Sequence, residues 1–513
     1  MATNQESDNA RRLTELCRQR LSQRRLILAS NRGPIEYYLT EDRQLRLRRG
    51  SGGVVTALSS LSKYMELDWI ASAMGEGDRQ VARRTQGGRF KVPSVNENLH
   101  LHFVVSPSNM YHKYYSVICN PLLWFLQHYM WSSSRTPNVD QAVHDAWKSG
   151  YVPVNQAFGQ AVIDDAAGSE SLPIVILNDY HLYLASAFIR SQMPSLVIQH
   201  FIHIPWPSPC YWQLLPAYMR QAILSSLCTT DIVGLQTARD VRSFLHCCES
   251  FIDEAKVDYE HQNVQINEHI VRVKAYPVSI DVIGLKKLVS SAVVKEYEEK
   301  LRPLCGEQTI VRVDRAEPSK NIIRGFRAFD TLLERYPQFR GKLKFIAFLV
   351  PTRTHLKPYQ RYMQEVIQLI EAINSKYGTE EWHPIDFFYE HNYLQAIAGM
   401  RLYDTLLVNP VIDGMNLVAK EGPTVNNRDG VLILSETVGA YEQLGQNALV
   451  VAPADLEGTT QALYTALTMS ADDRNKRATK LKRSIEKEDV TNWLLHLLKD
   501  VTNLVQERSE TST

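Results

Sequence analysis

The 513-residue sequence predicts an α/β protein built from two doubly wound domains. The length exceeds what a single hydrophobic core usually serves, so two domains of roughly 200 to 280 residues are expected. Short apolar runs alternate with helical patterns along most of the chain. Nearly continuous apolar strands between amphipathic helices are typical of parallel sheets that helices cover on both faces. Because the runs fall into two sets, two such sheets are predicted.

The apolar runs predict the core strands in chain order. The first set is RRLILASN (24–31), LPIVILND (172–179) and SLVIQHFIHIPW (195–206). The second set is TIVRVD (309–314), LKFIAFLV (343–350), DTLLVNP (404–410), GVLILS (430–435) and ALVVAP (448–453). Ligands of doubly wound sheets bind beyond the carboxyl ends of the strands. The residues at or just beyond the carboxyl ends of these runs are therefore candidate ligand contacts: Asn31, Arg32, Asp179, His203, Arg315 and Asp413.

The segment AYPVSIDVIGLKKL (275–288) marks the predicted domain boundary, because a strand there ends in a proline turn before a charged helical stretch. We predict an N-terminal domain at 1–283, a C-terminal domain at 284–483 and a tail at 484–513. The tail contains DVTNWLLHLLKDVTNLV (489–505), whose apolar residues recur at helical spacing. This helix is predicted to pack back on the first domain, and RSETST (508–513) is predicted to be frayed.

Composition narrows the function classes. Lys plus Arg (57) nearly cancel Asp plus Glu (56), which argues against a nucleic-acid partner bound by bulk charge. No apolar run approaches the roughly 20 residues of a membrane span, and the start lacks the apolar stretch of a secretory signal. Seven scattered cysteines do not show the paired spacing of a disulfide or zinc framework. We predict a cytoplasmic protein with no metal, cofactor or membrane partner. The sequence leaves the oligomeric state open, and a homo-oligomer is one of the alternatives.

The strongest chemical signal lies in VRVDRAEPSKN (311–321) and NPVIDGMNLVAKE (409–421). Arg315 and Lys320 follow an apolar strand, where two cations suit a diphosphate. Asp413 and Glu421 flank a glycine turn, and carboxylates orient the hydroxyls of a polyol. A nucleotide sugar offers all of these groups. Two structural interpretations stay open: a solvated surface pair for the two cations and helix N-capping for Asp413.

Four N-terminal segments are less specific. Asn31-Arg32-Gly33 and the glycine-rich Arg49 to Gly53 could bring backbone N–H groups to a phosphate, or form plain turns. Asn178-Asp179-Tyr180-His181 and the proline-framed His203 each end a predicted strand. A histidine between apolar residues is more often a satisfied core group than a reactive one.

Taken in order, these segments resemble the trehalose-6-phosphate synthase family of retaining glycosyltransferases. The resemblance covers about residues 26 to 500, and HIPWPSP and DGMNLVAKE are its most specific segments. It implies two Rossmann-like domains facing a cleft, the GT-B arrangement. It also implies transfer from a nucleotide-activated sugar to a sugar phosphate without a metal.

The resemblance implies a role for individual residues. The implied catalytic residues are Asp179, His203, Arg315, Lys320 and Asp413. The implied donor ligands are Gly53, Arg315, Lys320, Asp413, Gly414, Met415, Asn416, Leu417, Val418 and Glu421, with Glu421 on the ribose. The implied acceptor ligands are Arg32, Trp69, Tyr115, Trp124, Asp179 and Arg353. Among these, Arg32 and Arg353 suit a phosphate.

The sequence departs from the family pattern at three places. Asn178 stands where the family usually has histidine. Ala316-Glu317-Pro318-Ser319-Lys320-Asn321 stands for Leu-Asp-Tyr-Ser-Lys-Gly, and Pro410-Val411-Ile412-Asp413-Gly414 for Pro-Leu-Arg-Asp-Gly. The cations and carboxylates of the implied donor site are retained.

Three functions fit this pattern. The leading one joins UDP- or GDP-glucose to a sugar phosphate and forms trehalose 6-phosphate. The second is a pseudoglycosyltransferase that joins a nucleotide-cyclitol to a phosphorylated aminocyclitol on the same scaffold. The third is a catalytically silent sensor of sugar phosphates, although a sensor has no need of the whole donor site.

Overall fold

The computed structural model describes residues 8–21, 24–50, 55, 58–92, 98–132, 136–167, 169 and 171–511, with the backbone alone at 49, 60 and 511. The chain divides into two compact units, Met1–Val278 with Thr491–Thr513, and Ser279–Val490. Each unit has its own largely parallel sheet with helices. The predicted fold class of two doubly wound α/β domains is confirmed.

The first unit is organised around a sheet that has ten strands in the described part of the chain. Their order is β10-β11-β12-β9-β8-β7-β1-β4-β6-β5, and the strands from β12 to β6 in that order are parallel. The strands are β1 Leu26–Ser30, β2 Ile35–Leu39, β3 Leu45–Arg49, β4 Leu67–Ser72, β5 Phe90–Lys91, β6 Leu99–Val104, β7 Ile174–Asn178, β8 Val197–Phe201, β9 Ile232–Leu235, β10 Ala255–Asp258, β11 Asn263–Ile266 and β12 His269–Ala275. Strands β2 and β3 form a separate hairpin. Every residue of β1, β7 and β8 is buried, as expected for strands covered on both faces.

Helices cover this sheet and contribute most of the apolar core. The helical segments are Asp8–Leu16, Cys17–Leu21, Ser60–Lys63, Glu76–Arg84, Ser108–His112, Lys113–Trp124, Phe125–Gln127, Gln141–Ala146, Trp147–Tyr151, Val152–Ala167, Tyr180–Leu182, Ala185–Gln192, Pro209–Trp212, Ala217–Leu227, Ala238–Phe251 and Val490–Thr511. Lys113–Trp124 is a π-helix, and it contains Pro121, which has no backbone N–H to donate.

The C-terminal helix Val490–Thr511 packs on the first unit, as predicted. Trp493 makes an edge-to-face contact with Phe201 of β8, with ring centroids 5.5 Å apart. The Tyr276 hydroxyl donates to Asp500 over 2.7 Å. The helix continues through Thr511, so most of the RSETST segment is helical.

The second unit is a six-stranded parallel sheet within the described residues, in the order β15-β14-β13-β16-β17-β18. Its strands are β13 Gln308–Arg315, β14 Leu343–Val350, β15 Ile385–Tyr389, β16 Thr405–Val408, β17 Val431–Ser435 and β18 Leu449–Val451. Its helical segments are Val282–Val289, Ala292–Leu301, Arg302–Leu304, Pro318–Lys320, Ile322–Arg335, Pro337–Phe339, Lys357–Tyr377, Tyr393–Arg401, Val418–Val425, Tyr441–Leu444, Gly445–Asn447, Leu456–Thr468 and Ala471–Lys487.

Each sheet reverses its winding direction at one pair of strands. In the first unit the chain runs from β1 to β4 and β6 on one side and later to β7, β8 and β9 on the other. In the second unit it runs from β13 to β14 and β15, and then to β16, β17 and β18. The crevices at the carboxyl ends of β1/β7 and β13/β16 are therefore the expected ligand positions. Separately, none of the helices in the described part of the chain has the length and hydrophobicity that a bilayer span requires.

Candidate functional site

Arg312 fixes the carboxyl end of β13 in the second unit. This fully buried arginine donates to Asp314 over 2.7 and 3.0 Å and to the backbone oxygen of Lys320 over 3.0 Å. A further bond of 3.4 Å reaches Asn409, which follows β16. Because a guanidinium presents several donors in a fixed plane, this one side chain joins the end of β13, the loop that follows β13 and the end of β16.

Glu317 lies at the centre of a group that we call the cation cluster: Arg315, Glu317, Lys320 and Arg353. The Glu317 side chain is completely buried, and it contacts Arg315 at 2.8 Å, Arg353 at 3.2 Å and Lys320 at 4.0 Å. Burying a carboxylate is costly unless cations compensate it. Arg315 keeps 43% of its side chain exposed, whereas Lys320 keeps only 8%, so the Arg315 guanidinium is the more accessible cation.

Asp413 joins the cation cluster through an ion pair with Lys320. The same carboxylate accepts hydrogen bonds from the Gly414 backbone and the Asn416 side chain, over 3.0 and 3.1 Å. The helix that follows begins only at Val418. The N-capping interpretation of Asp413 is therefore wrong, and it is the Asn416 side chain that accepts from a first-turn N–H, that of Ala419, over 3.3 Å.

The other implied donor ligands lie around this turn. Gly414 and Met415 are buried, and Leu417 and Val418 are half-buried at the start of the helix. Glu421 lies in the first turn of the same helix, where its carboxylate accepts a 2.9 Å hydrogen bond from the Tyr393 hydroxyl. Burial raises the pKa of Glu421, and this bond opposes the shift.

Asn321 explains one departure from the family pattern. Its backbone is left-handed (φ 57°), a conformation that glycine adopts freely and that asparagine tolerates best among the other residues. Its amide donates to the backbone oxygens of Asn409 and Pro453 over 2.9 and 2.8 Å. The side chain thus ties the loop after β13 to the loops after β16 and β18. Ile412, another departure, is half-buried next to Asp413.

The first unit carries a second group, which we call the polar cluster: Asn31, Asn178, Asp179 and His203. Asn31 accepts from Ser72 over 3.0 Å at the end of β1. Asp179 follows β7 and accepts from the His203 backbone N–H over 3.2 Å. The His203 ring lies 3.3 Å from the Asn178 amide oxygen. Burial lowers the pKa of His203 to about 3, so its imidazole is neutral at physiological pH.

Aromatic rings lie beside the polar cluster. Tyr115 stacks between Tyr111 and His181, with centroid separations of 5.6 and 6.0 Å. Tyr111 also hydrogen-bonds Asn31 over 3.3 Å. The predicted acceptor ligand Tyr115 therefore belongs to an aromatic stack that includes His181, three residues after β7.

The remaining predicted acceptor and donor positions differ in their surroundings. Trp69 is fully buried in β4, where its indole N–H donates to Ser30 over 2.8 Å. Trp124 is also buried and stacks on His128 at 3.9 Å. Both indoles are therefore core groups. Arg32 is exposed, and Gly53 lies outside the described residues.

Backbone strain coincides with the predicted site residues. Of the ten non-glycine residues with positive φ in the described chain, three are predicted site residues, Asp179 (71°), Arg353 (46°) and Asn416 (64°), and Asn321 (57°) adjoins Lys320. Such conformations cost about 1 to 3 kcal/mol each and persist where surrounding contacts enforce them. These four residues follow parallel strands of the two sheets, whereas the other six lie in turns between antiparallel strands or after α-helices.

One cluster of potential metal ligands occurs in the described residues, formed by Glu66, Asp68 and His100. Arg89 pairs with both Glu66 and Asp68, and Arg25 also pairs with Asp68. Two guanidinium groups already neutralise these carboxylates, so the cluster does not suit a cation.

The sequence prediction did not include two residues that contact the predicted ligands. Glu317 sits between Arg315 and Lys320 in the chain, and a carboxylate between two implied phosphate ligands was a usable signal. Tyr393 is 28 residues from Glu421, and nothing in their spacing indicates a contact.

The comparisons with known proteins agree with this arrangement. The model of glycosyltransferase family 20 matches residues 24–503. The chain is 31% identical over 500 residues to the UDP-forming α,α-trehalose-phosphate synthase of Pichia angusta, covering 93% of this chain and 99% of that protein. A solved E. coli structure, described as trehalose-6-phosphate bound with UDP-2-fluoro glucose, has a TM-score of 0.79 and 26% identity, covering 93% of this chain and 99% of that one. A solved trehalose-6-phosphate synthase gives the same TM-score and identity, covering 93% and 98%.

Proposed function

Because the chain belongs to glycosyltransferase family 20, we propose that it transfers glucose from UDP-glucose to glucose 6-phosphate and forms trehalose 6-phosphate with retention of configuration. The observation that carries this proposal is the gathering of Arg315, Lys320 and Asp413 at the β13/β16 switch point, with Glu421 in the helix that follows. The Pichia angusta relative is named as UDP-forming, which favours uridine over guanosine as the donor base.

The cation cluster suits the leaving group. As the bond between the anomeric carbon and the diphosphate breaks, negative charge grows on the phosphate oxygens. Arg315 and Lys320 are held by Glu317 and Asp413, so their orientation is set before the reaction. Preorganised charges of this kind stabilise a developing anion without reorganising during the reaction.

Retention needs no protein nucleophile in this scheme. The leaving phosphate oxygen accepts the proton of the attacking acceptor hydroxyl on the face from which it departs. The new glycosidic bond therefore forms on that same face. Asp413 orients donor hydroxyls, and Glu421 accepts from the ribose hydroxyls.

Arginine side chains suit the acceptor phosphate. Arg353 is held by Glu317 at 3.2 Å and by the Tyr359 hydroxyl at 2.6 Å, and its planar fork matches a phosphate. Arg32 is the corresponding candidate in the first unit, and Asp179 is the candidate for acceptor hydroxyls. The proposal includes a cytoplasmic location, which fits seven cysteines that form no disulfide.

The direct test incubates the purified protein with UDP-glucose or GDP-glucose and glucose 6-phosphate, and identifies the product by mass and anomeric configuration. We expect trehalose 6-phosphate from UDP-glucose, with activity retained in excess chelator because fixed cations supply the charge that a metal would. If the protein instead turned over a nucleotide-cyclitol in preference to both nucleotide sugars, it would be a pseudoglycosyltransferase. Binding of both sugar ligands without turnover would establish a sensor instead.

A further inference from the structure

The Asn178 amide has a fixed orientation inside the first unit. Its side chain is buried at the end of β7, and its amide nitrogen faces two backbone oxygens, those of Ala29 and Ile176, each at 3.3 Å. Backbone oxygens only accept, so the amide nitrogen must point toward them. The amide oxygen is thereby left facing His203 Nε2 at 3.3 Å.

This orientation selects one tautomer of His203. A neutral imidazole carries a single N–H, and the tautomer is set by the bond that one ring nitrogen makes. The Asn178 oxygen can only accept, so the proton of His203 resides on Nε2. Nδ1 then presents a lone pair.

His203 Nδ1 is buried and has no hydrogen-bond partner among the described residues. A buried acceptor without a donor is unfavourable, and such an atom at a strand end is suited to a ligand. The Asp179 carboxylate lies beside this histidine, since it accepts a hydrogen bond from the His203 backbone N–H. A ligand at this position that offers hydroxyl donors would satisfy Nδ1.

We propose that Asn178 is a positioning residue that holds His203 in the Nε2–H tautomer, so that Nδ1 accepts a hydrogen bond from a hydroxyl of a bound hexose. This inference rests on the proposed function, because it takes the ligand to be one of the two sugar substrates. The family's usual histidine at position 178 can donate or accept, whereas asparagine in this orientation can only accept. The departure at Asn178 therefore specifies a proton position.

The first experiment determines the tautomer in the ligand-free protein by NMR with ¹⁵N-labelled histidine, with the His203 signals assigned from their loss in His203→Phe. We expect the proton on Nε2 in the native chain and in Asn178→Asp, which keeps an acceptor, and a second tautomer to become detectable in Asn178→Leu. His200 is the internal control, because its Nε2 contacts the backbone oxygen of Asp179 at 3.1 Å and is independent of the Asn178 side chain. A native His203 protonated on Nδ1 would overturn the proposal.

The second experiment measures binding of UDP, UDP-glucose and glucose 6-phosphate by calorimetry. Asn178→Leu and His203→Phe are expected to weaken binding of one hexose ligand about tenfold while UDP binding stays native, as for loss of a single hydrogen bond. The ligand affected identifies which hexose supplies the hydroxyl. Native affinity for both hexoses in both variants contradicts the proposal.

The two experiments separate the inference from its premise. A native protein that binds neither hexose ligand would refute the proposed function, while the tautomer measurement would still decide the role of Asn178. Asn178→Asp keeps an acceptor next to His203 but loses the donor to the Ala29 and Ile176 oxygens, as Asn178→Leu also does, so the two variants differ in the acceptor. Thermal unfolding of each variant shows whether the fold is intact.

Discussion

The carboxyl ends of the two parallel sheets carry opposite kinds of chemistry. In the second unit the cation cluster buries full charges: Glu317 is completely buried, and Arg315, Lys320 and Arg353 surround its carboxylate. In the first unit the polar cluster carries no cation: it combines two amides and the Asp179 carboxylate with the His203 imidazole, which is neutral because burial lowers its pKa to about 3. Both clusters occupy the point where their sheet reverses its winding.

The difference shows that the fold specifies where a ligand binds, whereas the side chains specify what binds. Fixed cations match the phosphates of a substrate, since charge-assisted hydrogen bonds are roughly twice as strong as neutral ones. The acceptors of the polar cluster, two amides, a neutral imidazole and the Asp179 carboxylate, match hydroxyls. Substitutions in the two clusters should therefore affect different parts of the substrates.

The largest effect is expected for Lys320→Ala. Removing one preorganised donor to a developing oxyanion typically costs about 3 to 4 kcal/mol, so kcat should fall a hundredfold or more. Lys344→Ala is the matched control, because Lys344 is also a buried lysine paired with an aspartate, Asp386 at 2.7 Å, but lies at the start of β14. Steady-state kinetics of both variants, and of Arg315→Ala, provide the test. Near-native turnover in Lys320→Ala would remove the diphosphate role of the cation cluster.

Arg353→Ala is expected to act on the acceptor. The KM for glucose 6-phosphate should rise about ten- to hundredfold, as for loss of a charged hydrogen bond, while the Kd for UDP changes little. Arg340→Ala is the control, since Arg340 lies over Tyr377 at 5.0 Å much as Arg353 lies over Tyr359 at 5.5 Å. An unchanged KM would exclude Arg353 as the phosphate ligand.

Tyr393→Phe is expected to shift the pH dependence of donor binding. Burial raises the pKa of Glu421, so UDP affinity should fall as the pH drops through that raised value and the carboxylate becomes protonated. The Tyr393 hydrogen bond lowers this pKa, so removing it should move the loss of affinity to higher pH. Tyr377→Phe is the control, because the Tyr377 hydroxyl also donates to a carboxylate, Asp330, over 2.9 Å. UDP titrations across the acidic range measure this shift, and an unchanged pH dependence in Tyr393→Phe would contradict the assignment of Glu421 to the donor.

The smallest effect is expected for Asn321→Gly. Glycine suits the left-handed backbone but loses three side-chain hydrogen bonds, two donated to backbone oxygens and one accepted from Arg324, so the free energy of unfolding should fall by about 1 kcal/mol or more. Because these bonds go to backbone oxygens and to Arg324, none of which is a predicted ligand, kcat and KM for both substrates should stay near native values. Denaturant unfolding and substrate profiling check the two halves of this expectation. Altered substrate preference would make Asn321 a specificity residue instead.

The predicted strands show how far sequence pattern reaches. All eight apolar runs contain a strand, since buried parallel strands have apolar residues on both faces. Other strands lay outside the predicted runs, among them β9 Ile232–Leu235, which has only four residues, and β12 His269–Ala275, whose buried and partly exposed positions are mixed. Short and half-exposed strands carry too little hydrophobic signal to separate from loops.

The site residues likewise divide into those that the sequence pattern predicted and those whose surroundings it did not. Arg315, Lys320, Asp413 and Glu421 were predictable because they follow an apolar strand or a glycine turn in sequence. The capping interpretation of Asp413 failed because the helix begins only at Val418, and the Asp413 carboxylate instead contacts Lys320 and Asn416. The burial of Trp69 was not apparent either, since an aromatic residue on a strand has the same pattern whether it lines a site or fills the core.

The sequence by itself determined the fold class, the order of the core strands and the residue types at the strand ends, because these depend on local hydrophobic periodicity and chain order. Only the tertiary structure decided which charges meet. Glu317 touches Arg353, 36 residues away, and Tyr393 touches Glu421. The proton position on His203 likewise depends on Asn178, which reaches it only because β7 and β8 are neighbours. Such contacts arise from strand register and loop geometry, which no local pattern encodes.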